Sequence, residues 1–143
     1  MNDIKLEFGE PDQHFNMGGP FLSDLALNGR LLQGKYLVNH SVYSNDKRYL
    51  LLSKYIPDYF EMRKLLFISK RKYLICFRIL IYDNKNNEYY QQNNFQRCLF
   101  IQSMSDNNIV YYEAFHNELE KYKRELLFNS NTFTAIDQSK VYQ

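Results

Sequence analysis

Few side chains in this chain have the types and spacing that covalent chemistry requires. The three histidines, His14, His40 and His116, do not lie four residues apart, and Cys76 and Cys98 do not form a Cys-x-x-Cys unit. Metal ligation and a cysteine nucleophile both need closely spaced ligands or a neighbouring base. The sequence therefore predicts no metal, no cofactor and no catalytic residue, and the protein is not expected to be an enzyme.

Two residues support an alternative interpretation. Arg78 is the only charged residue in the apolar run Tyr73–Tyr82. His40 is predicted to share a strand face with Tyr36, Val38 and Val42. A lone arginine in such a strand reaches solvent, pairs with an acid or points into a pocket. A small-ligand-binding domain or an enzyme with a pocket around His40 and Arg78 is therefore the first alternative function.

The elements that would position these residues are predicted strands. Three apolar or aromatic runs of strand length follow one another at Arg48–Tyr55, Met62–Ser69 and Tyr73–Tyr82. Short gaps containing Pro57 or the basic tip Lys70–Lys72 separate them. This pattern is typical of an antiparallel meander, in which consecutive strands are neighbours in the sheet.

The rest of the chain repeats the same pattern of short strands and polar turns. Residues Ile4–Phe8 alternate between apolar and charged side chains, and Asn28-Gly29 is a strong hairpin signal between apolar runs. Further turns are predicted at Ser44–Asp46, at 83–87 and at 103–108. We predict a mainly β fold, an antiparallel sandwich or curved meander sheet, formed by residues 1–143 as a single domain.

The segment 116–128 fits two structures. Leu119, Tyr122 and Leu126 have helical spacing, and Asn117 is available as an N-cap. The alternation that ends at Phe128 also fits a strand. We expect a helix, the single C-terminal helix of the fold, with a strand as the alternative, and we expect the residues after Thr134 to form a loose tail.

Composition and charge restrict the partners and the compartment. The formal net charge of +2 is close to neutral, which argues against a strong nucleic-acid or membrane field. A weak nucleic-acid contact through the hairpin tip Lys70–Lys72 is the second alternative. No run is long enough to cross a bilayer, and the start has no secretory pattern, so we expect a cytoplasmic protein without membrane contact. Cys76 and Cys98 are then expected to be free thiols, although their pairing stays open.

The best candidate for a partner-binding site is the aromatic and acidic segment after the first run of the meander. It consists of Tyr55, Asp58, Tyr59, Phe60 and Glu61. Rigid aromatic side chains flanked by charges are typical of interface hot spots. The alternative is that these rings only cover the end of the sheet.

Adjacent tyrosines supply a second source of exposed rings. Tyr89-Tyr90 and Tyr111-Tyr112 lie in predicted strands, where neighbouring side chains point to opposite faces. Each pair is therefore expected to leave one ring partly exposed.

Three turn segments carry a resemblance to a known class of proteins. The segments Met17–Pro20, Leu27–Gly29 and Ser44–Leu50 resemble those of small cytoplasmic bacterial immunity proteins of interbacterial toxin systems. The Ser-x-Asp-x-x-Tyr-Leu part also resembles the opening of a β-propeller blade. The resemblance to immunity proteins implies a cytoplasmic inhibitor that binds a cognate toxin in interbacterial competition, and a homodimer is compatible with it.

Overall fold

The described part of the chain is built from antiparallel β-strands. The computed structural model describes residues 3–12, 20–57 and 76–143. The strands are β1 (Leu6–Phe8), β2 (Leu22–Ser23), β3 (Leu25–Leu27), β4 (Arg30–Leu31), β5 (Tyr36–Tyr43), β6 (Tyr49–Tyr55), β7 (Phe77–Asp83), β8 (Glu88–Gln92), β9 (Phe100–Ser105), β10 (Asn108–Tyr112), β11 (Lys123–Leu127) and β12 (Phe133–Ile136). Two 3-10 turns, η1 (Glu120–Tyr122) and η2 (Gln138–Lys140), complete the described elements, none of which is a helix of seven or more residues. The predicted mainly β, antiparallel fold is confirmed.

A six-stranded sheet forms the centre of the structure. Its strand order is β12-β8-β7-β6-β5-β2, and two three-stranded sheets, β11-β10-β9 and β1-β3-β4, accompany it. One apolar cluster joins the central sheet to β9 and β10, and a second joins its other face to β3 and to the segment around Val141. The central sheet is therefore covered on both faces.

This burial explains the unbroken apolar sequence of β6 and β7. Leu51 and Ile81 belong to the cluster that faces β9 and β10. Leu50, Leu52 and Leu80 belong to the cluster on the opposite face. A strand covered on one face alternates between apolar and polar residues, whereas a strand covered on both faces is apolar throughout.

The predicted meander is wrong in one respect. Tyr49–Tyr55 and Phe77–Asp83 pair with each other along seven residue pairs. The other neighbours of β6 and β7 are β5 and β8, so the first and third apolar runs are direct neighbours in the sheet. The second run, Met62–Ser69, and the tip Lys70–Lys72 lie outside the described residues.

The predicted face of β5 is also wrong. Tyr36 is fully buried in the apolar cluster between the central sheet and β3, which we call the β3-side cluster. Val42 instead packs against the cluster between the central sheet and β9 and β10, which we call the β9-side cluster. Between them the pairing of β5 with β6 shifts register, and Asn39 adopts a positive φ of 56°. Such a β-bulge inserts unpaired residues, which moves the following side chains to the other face of the sheet.

The C-terminal segment is a strand, not the expected helix. Residues Lys123–Leu127 form β11 and pair with β10, and only η1 is helical in the segment 116–128. Leu126 and Phe128, two residues apart, both pack against the β9-side cluster. The alternation that ends at Phe128, and not the helical spacing, therefore indicated the observed structure. The expected loose tail is wrong as well, because β12 continues to Ile136 and Val141 is 2% exposed.

Several turn predictions are confirmed. Asn28 and Gly29 both have positive φ, 51° and 81°, and connect β3 with β4. Two consecutive residues with positive φ are required by the two-residue turn whose twist matches a hairpin. The segment Ser44–Leu50, on which the resemblance partly depends, is the turn from β5 into β6. There Asp46 accepts hydrogen bonds from the Ser44 hydroxyl at 2.6 Å and from the Arg48 backbone N–H at 3.0 Å.

A buried ion pair connects this turn to the β7–β8 turn. The Arg48 guanidinium donates to both carboxylate oxygens of Asp83, at 3.0 and 2.9 Å, and the Asp83 side chain is 1% exposed. The backbone N–H groups of Lys85 and Asn86 donate to the same carboxylate. Burial raises the pKa of Asp83, but these donors outweigh it and the net pKa is lowered.

We expect Asp83→Asn to lower the free energy of unfolding by about 2 kcal/mol or more, because the change leaves the Arg48 charge without its buried partner. Urea unfolding at pH 7 measures this, with Asp106→Asn, an exposed turn residue, as the control.

The lowered pKa adds a second expectation. The Asp83 contribution is present above its unfolded pKa of about 3.9 and is lost as the pH falls through the folded value. Equal urea midpoints for Asp83→Asn and Asp106→Asn at pH 7 would show that the Arg48–Asp83 ion pair does not stabilise the fold.

Candidate protein-binding surface

Of the five predicted partner-binding residues, the structure describes Tyr55. It ends β6, is half-buried, and its ring centre lies 5.8 Å from that of Phe77. Tyr55 therefore packs partly on the core at the point where the predicted anchor segment begins. Asp58, Tyr59, Phe60 and Glu61 lie outside the described residues.

His40 has a structural role between two sheets. Its Nε2 accepts a hydrogen bond from the Ile101 backbone N–H at 2.9 Å, and its ring centre lies 4.9 Å from that of Phe100. This bond joins β5 to β9 and requires the neutral imidazole. Burial lowers the pKa of His40 to about 4. Because the ring nitrogen facing β9 is occupied, it is not free to act as a base there.

The His40 pKa predicts a specific loss of stability in acid. The unfolded pKa is about 6.5, so the stabilisation from neutral His40 is complete above that value and is lost as the pH falls through about 4. We expect His40→Gln, which keeps an acceptor that does not titrate, to flatten the pH dependence of the urea midpoint between pH 7 and 4. The control is His116→Gln at an exposed position. A wild-type slope in His40→Gln would show that His40 does not titrate in this way.

Arg78 lies on the opposite face of the central sheet from His40. It points to the same side as Leu80, and burial lowers the pKa of its guanidinium. Its buried Nε has no hydrogen-bond partner in the described part of the chain. The predicted pocket shared by His40 and Arg78 is therefore not formed: one residue contacts β9, and the other faces away from it.

Arg78 lines a polar depression of about 410 Å³ beside β12. The residues that line it are Arg78, Gln91, Gln92, Asn93, Thr134, Ala135, Ile136, Asp137 and Lys140. Asp137 accepts a hydrogen bond from the Ser139 backbone N–H at 2.9 Å and so begins η2. Neither Arg78 nor Lys140 forms an ion pair with any described residue. The lining therefore carries two positive charges, Arg78 and Lys140, and one negative charge, Asp137. The Ser139 hydrogen bonds lower the pKa of Asp137, and Lys140 contributes to the lowering.

Two buried glutamines fix one wall of this depression. The Gln92 side-chain oxygen accepts a hydrogen bond from the Ile79 backbone N–H at 3.0 Å, and its amide nitrogen lies 3.0 Å from the Gln96 side-chain oxygen. Gln96 donates in turn to the Phe77 carbonyl at 2.9 Å. Because these amides satisfy each other and the backbone, the start of β7, where Arg78 lies, is held rigidly.

An aromatic depression of about 330 Å³ lies on the other face of β12. Its apolar lining consists of Tyr90, Phe128, Phe133 and Ala135. The Phe128 ring contacts Tyr90 and Phe133 edge to face, with ring centres 5.2 Å apart in both cases. Tyr90 is half-buried and Tyr89 fully buried, so one ring of this pair stays partly exposed as predicted. Tyr111 and Tyr112 are both buried, so that prediction is wrong for the second pair.

Between the two depressions runs the open edge of β12. The Asn93 backbone N–H, next to the end of β8, donates to the carbonyl of Thr132, the residue opposite it. Hydrogen-bonded and non-hydrogen-bonded pairs alternate along an antiparallel ladder, so Thr134 and Ile136 also direct their N–H and C=O groups towards β8. The intervening Ala135 therefore directs its N–H and C=O away from β8. Ala135 is exposed, and no described residue bonds to these groups. We call Ala135 with the two depressions the β12-edge surface.

Sequence reasoning identified Arg78 but missed the rest of this surface. The aromatic and β-branched residues Phe133, Thr134 and Ile136 favour a strand, but a run of four residues makes this signal weak. No local pattern indicates that β12 lies at a sheet edge, because that position depends on its pairing with the distant β8.

Other features of the described residues supply no further site. Cys76 is buried, Cys98 is half-buried, and both are thiols. No group of three or more potential metal ligands occurs in residues 3–12, 20–57 and 76–143. Within the same ranges, no helix is long and apolar enough to cross a membrane.

Comparisons with known proteins do not assign a family. No protein-family model matches the chain, and no solved structure matches it significantly. A curated relative, Protein Ycf2 of Anthoceros angustus, is 28% identical over 111 residues, which cover 68% of this chain and 5% of that protein. The chain thus spans a small part of that relative's length.

Proposed function

We propose that this protein binds a cognate bacterial toxin and neutralises it by occluding it, as an immunity protein does. The observation that carries the protein-binding part of the proposal is the β12-edge surface. It combines an open strand edge with an aromatic depression on one side and a polar depression of net positive charge on the other. The immunity class rests on the resemblance of the turn segments.

The scaffold around this surface suits a rigid inhibitor. Both faces of the central sheet are packed, and the walls of the depressions are held by the Gln92–Gln96 pair and by the Phe128 cluster. A binding surface that is already ordered loses little conformational entropy on association, which favours affinity.

The segment that begins at Tyr55 is the second part of the proposed interface. Asp58, Tyr59, Phe60 and Glu61 follow β6 directly in the sequence. Their acids would face basic groups of the toxin, and their rings would fill a pocket on it.

A small-anion-binding role is the second candidate function. It is favoured by the unpartnered Arg78 Nε and by the polar lining of the depression beside β12. Arg78 and Gln91 together could donate hydrogen bonds to a carboxylate or phosphate, whereas the Thr134 hydroxyl already donates to the Asn93 side-chain oxygen. The other alternative, nucleic-acid contact through Lys70–Lys72, concerns residues outside the described ranges.

The decisive experiment for the toxin-binding proposal is protection of cells. The product of the neighbouring reading frame, which the proposal requires to be a secreted effector, is expressed in a bacterial host with and without this protein. We expect co-expression to restore growth, and we expect the two purified proteins to form a complex by size-exclusion chromatography. If the neighbouring genes encode metabolic enzymes, or if the effector stays toxic and no complex forms, the proposal is wrong.

The anchor residues are tested in the same complex. We expect Tyr59→Ala with Phe60→Ala to weaken toxin binding by at least about 2 kcal/mol, since buried aromatic anchors carry much of the energy of an interface. Calorimetric titration measures the affinity, and thermal unfolding checks that the domain is intact. Phe21→Ala, a change at a 50% exposed aromatic residue elsewhere, is the control. Unchanged affinity in the double variant would remove the segment from the interface.

A further inference from the structure

We propose that the β12-edge surface binds an extended segment of the partner by strand addition, with an apolar side chain flanked on both sides by acidic ones. This inference rests on the proposed function, because it names the part of a partner that the same surface would bind. It adds the backbone geometry and the side-chain pattern of that segment.

The backbone of β12 defines how the segment is held. The Ala135 N–H and C=O and the Phe133 C=O point away from β8, whereas the Phe133 N–H already donates to the Asn129 carbonyl at 3.0 Å. An antiparallel strand would therefore make three backbone hydrogen bonds, two with Ala135 and one with Phe133. Pairing of this kind at an exposed sheet edge is a common mode of peptide recognition.

The two faces of β12 define the side-chain pattern. A residue directly opposite Ala135 points to the same side as Ala135, which lines the aromatic depression of Tyr90 and Phe128. An apolar side chain fits there. The residues before and after it point to the other side, where Lys140 is exposed and Arg78 has an unpartnered Nε. Arg78 and Lys140 outnumber the single carboxylate of Asp137 there, so the net charge is positive and acidic side chains match it.

The same charge argues against a second copy of this chain as the occupant. In an antiparallel pair of two β12 strands, the two-fold axis is perpendicular to the sheet, so equivalent faces lie on the same side. The two net positive faces, each with Arg78 and Lys140 against one carboxylate, Asp137, would then lie side by side. Like charges placed together across a pair of strands are unfavourable.

The experiment uses the full chain and a synthetic peptide, acetyl-Thr-Glu-Leu-Glu-Thr-amide, followed by ¹⁵N NMR. We expect saturable shifts concentrated at the amides of Phe133–Asp137, with slower hydrogen exchange at Ala135. N-methylation of the Leu amide should abolish binding, because that N–H bonds to the Ala135 carbonyl. N-methylation of either Glu amide, whose N–H points away from β12, should leave the affinity within about twofold.

Matched protein variants test the edge and the charge separately. Ala135→Pro removes an outward N–H without breaking the ladder to β8, and proline is tolerated at such edge positions. This variant should not bind the peptide, and its strand content, measured by circular dichroism, should equal that of the wild type. Lys140→Glu should lower the affinity for the peptide by about fivefold, which is the upper range for an exposed charge pair. The same variant should bind a peptide with Lys in place of Glu more tightly than the wild type does. Lys121→Glu, another exposed lysine, is the control.

Each contrary result overturns a stated part of the inference. Shifts that avoid Phe133–Asp137, or equal binding of the Glu and Lys peptides, would show that the surface does not recognise an acidic strand. Concentration-dependent shifts of these amides without peptide, absent in Ala135→Pro, would show that a second copy occupies the edge. If the wild-type protein and Ala135→Pro protect cells equally from the toxin, strand addition is wrong and the inhibitor function stands.

Discussion

The structure depends on the burial of the β6–β7 pair on both faces. Leu50, Leu51 and Leu52 follow one another in sequence, and Ile79, Leu80 and Ile81 do the same, so neither face of these strands can remain in water. Burying such side chains stabilises by roughly 1.5–3 kcal/mol each. The two outer sheets satisfy this requirement from opposite sides. Their position therefore follows from the apolar strands at the centre of the sheet.

This constraint also determines where a partner can be contacted. With both faces of the described central sheet covered, a partner that pairs with its backbone can reach it at the edges. At one end β2 has two residues and continues through a single bridge between Asp12 and Leu22. At the other end β12 presents Ala135 between two depressions of different chemistry. Proteins commonly protect such edges with charges, and here Lys140 lies close by.

Much of the fold could be predicted from sequence because its signals are local. The Asn28-Gly29 turn depends on the conformational freedom of those two residues, and the apolar runs of β6 and β7 reflect burial. The failures have non-local causes. Strand β11 forms because β10 offers it a partner, which helical spacing at Leu119 and Leu126 does not reveal. The face of His40 changed because of the bulge at Asn39. The β12 edge and its flanking depressions exist only after β8 and β12 have paired.

The distant pairings have a consequence for how the molecule folds. The Gln143 side chain donates to the Leu32 carbonyl, 111 residues away, and β12 completes a sheet begun by β5 and β6. Chains dominated by such long-range contacts fold slowly, on the order of milliseconds to seconds. Until the outer sheets pack, the continuous apolar strands β6 and β7 are exposed, and exposed strands of this kind associate readily. Early packing of the two outer sheets therefore limits the time during which these strands can associate with other copies.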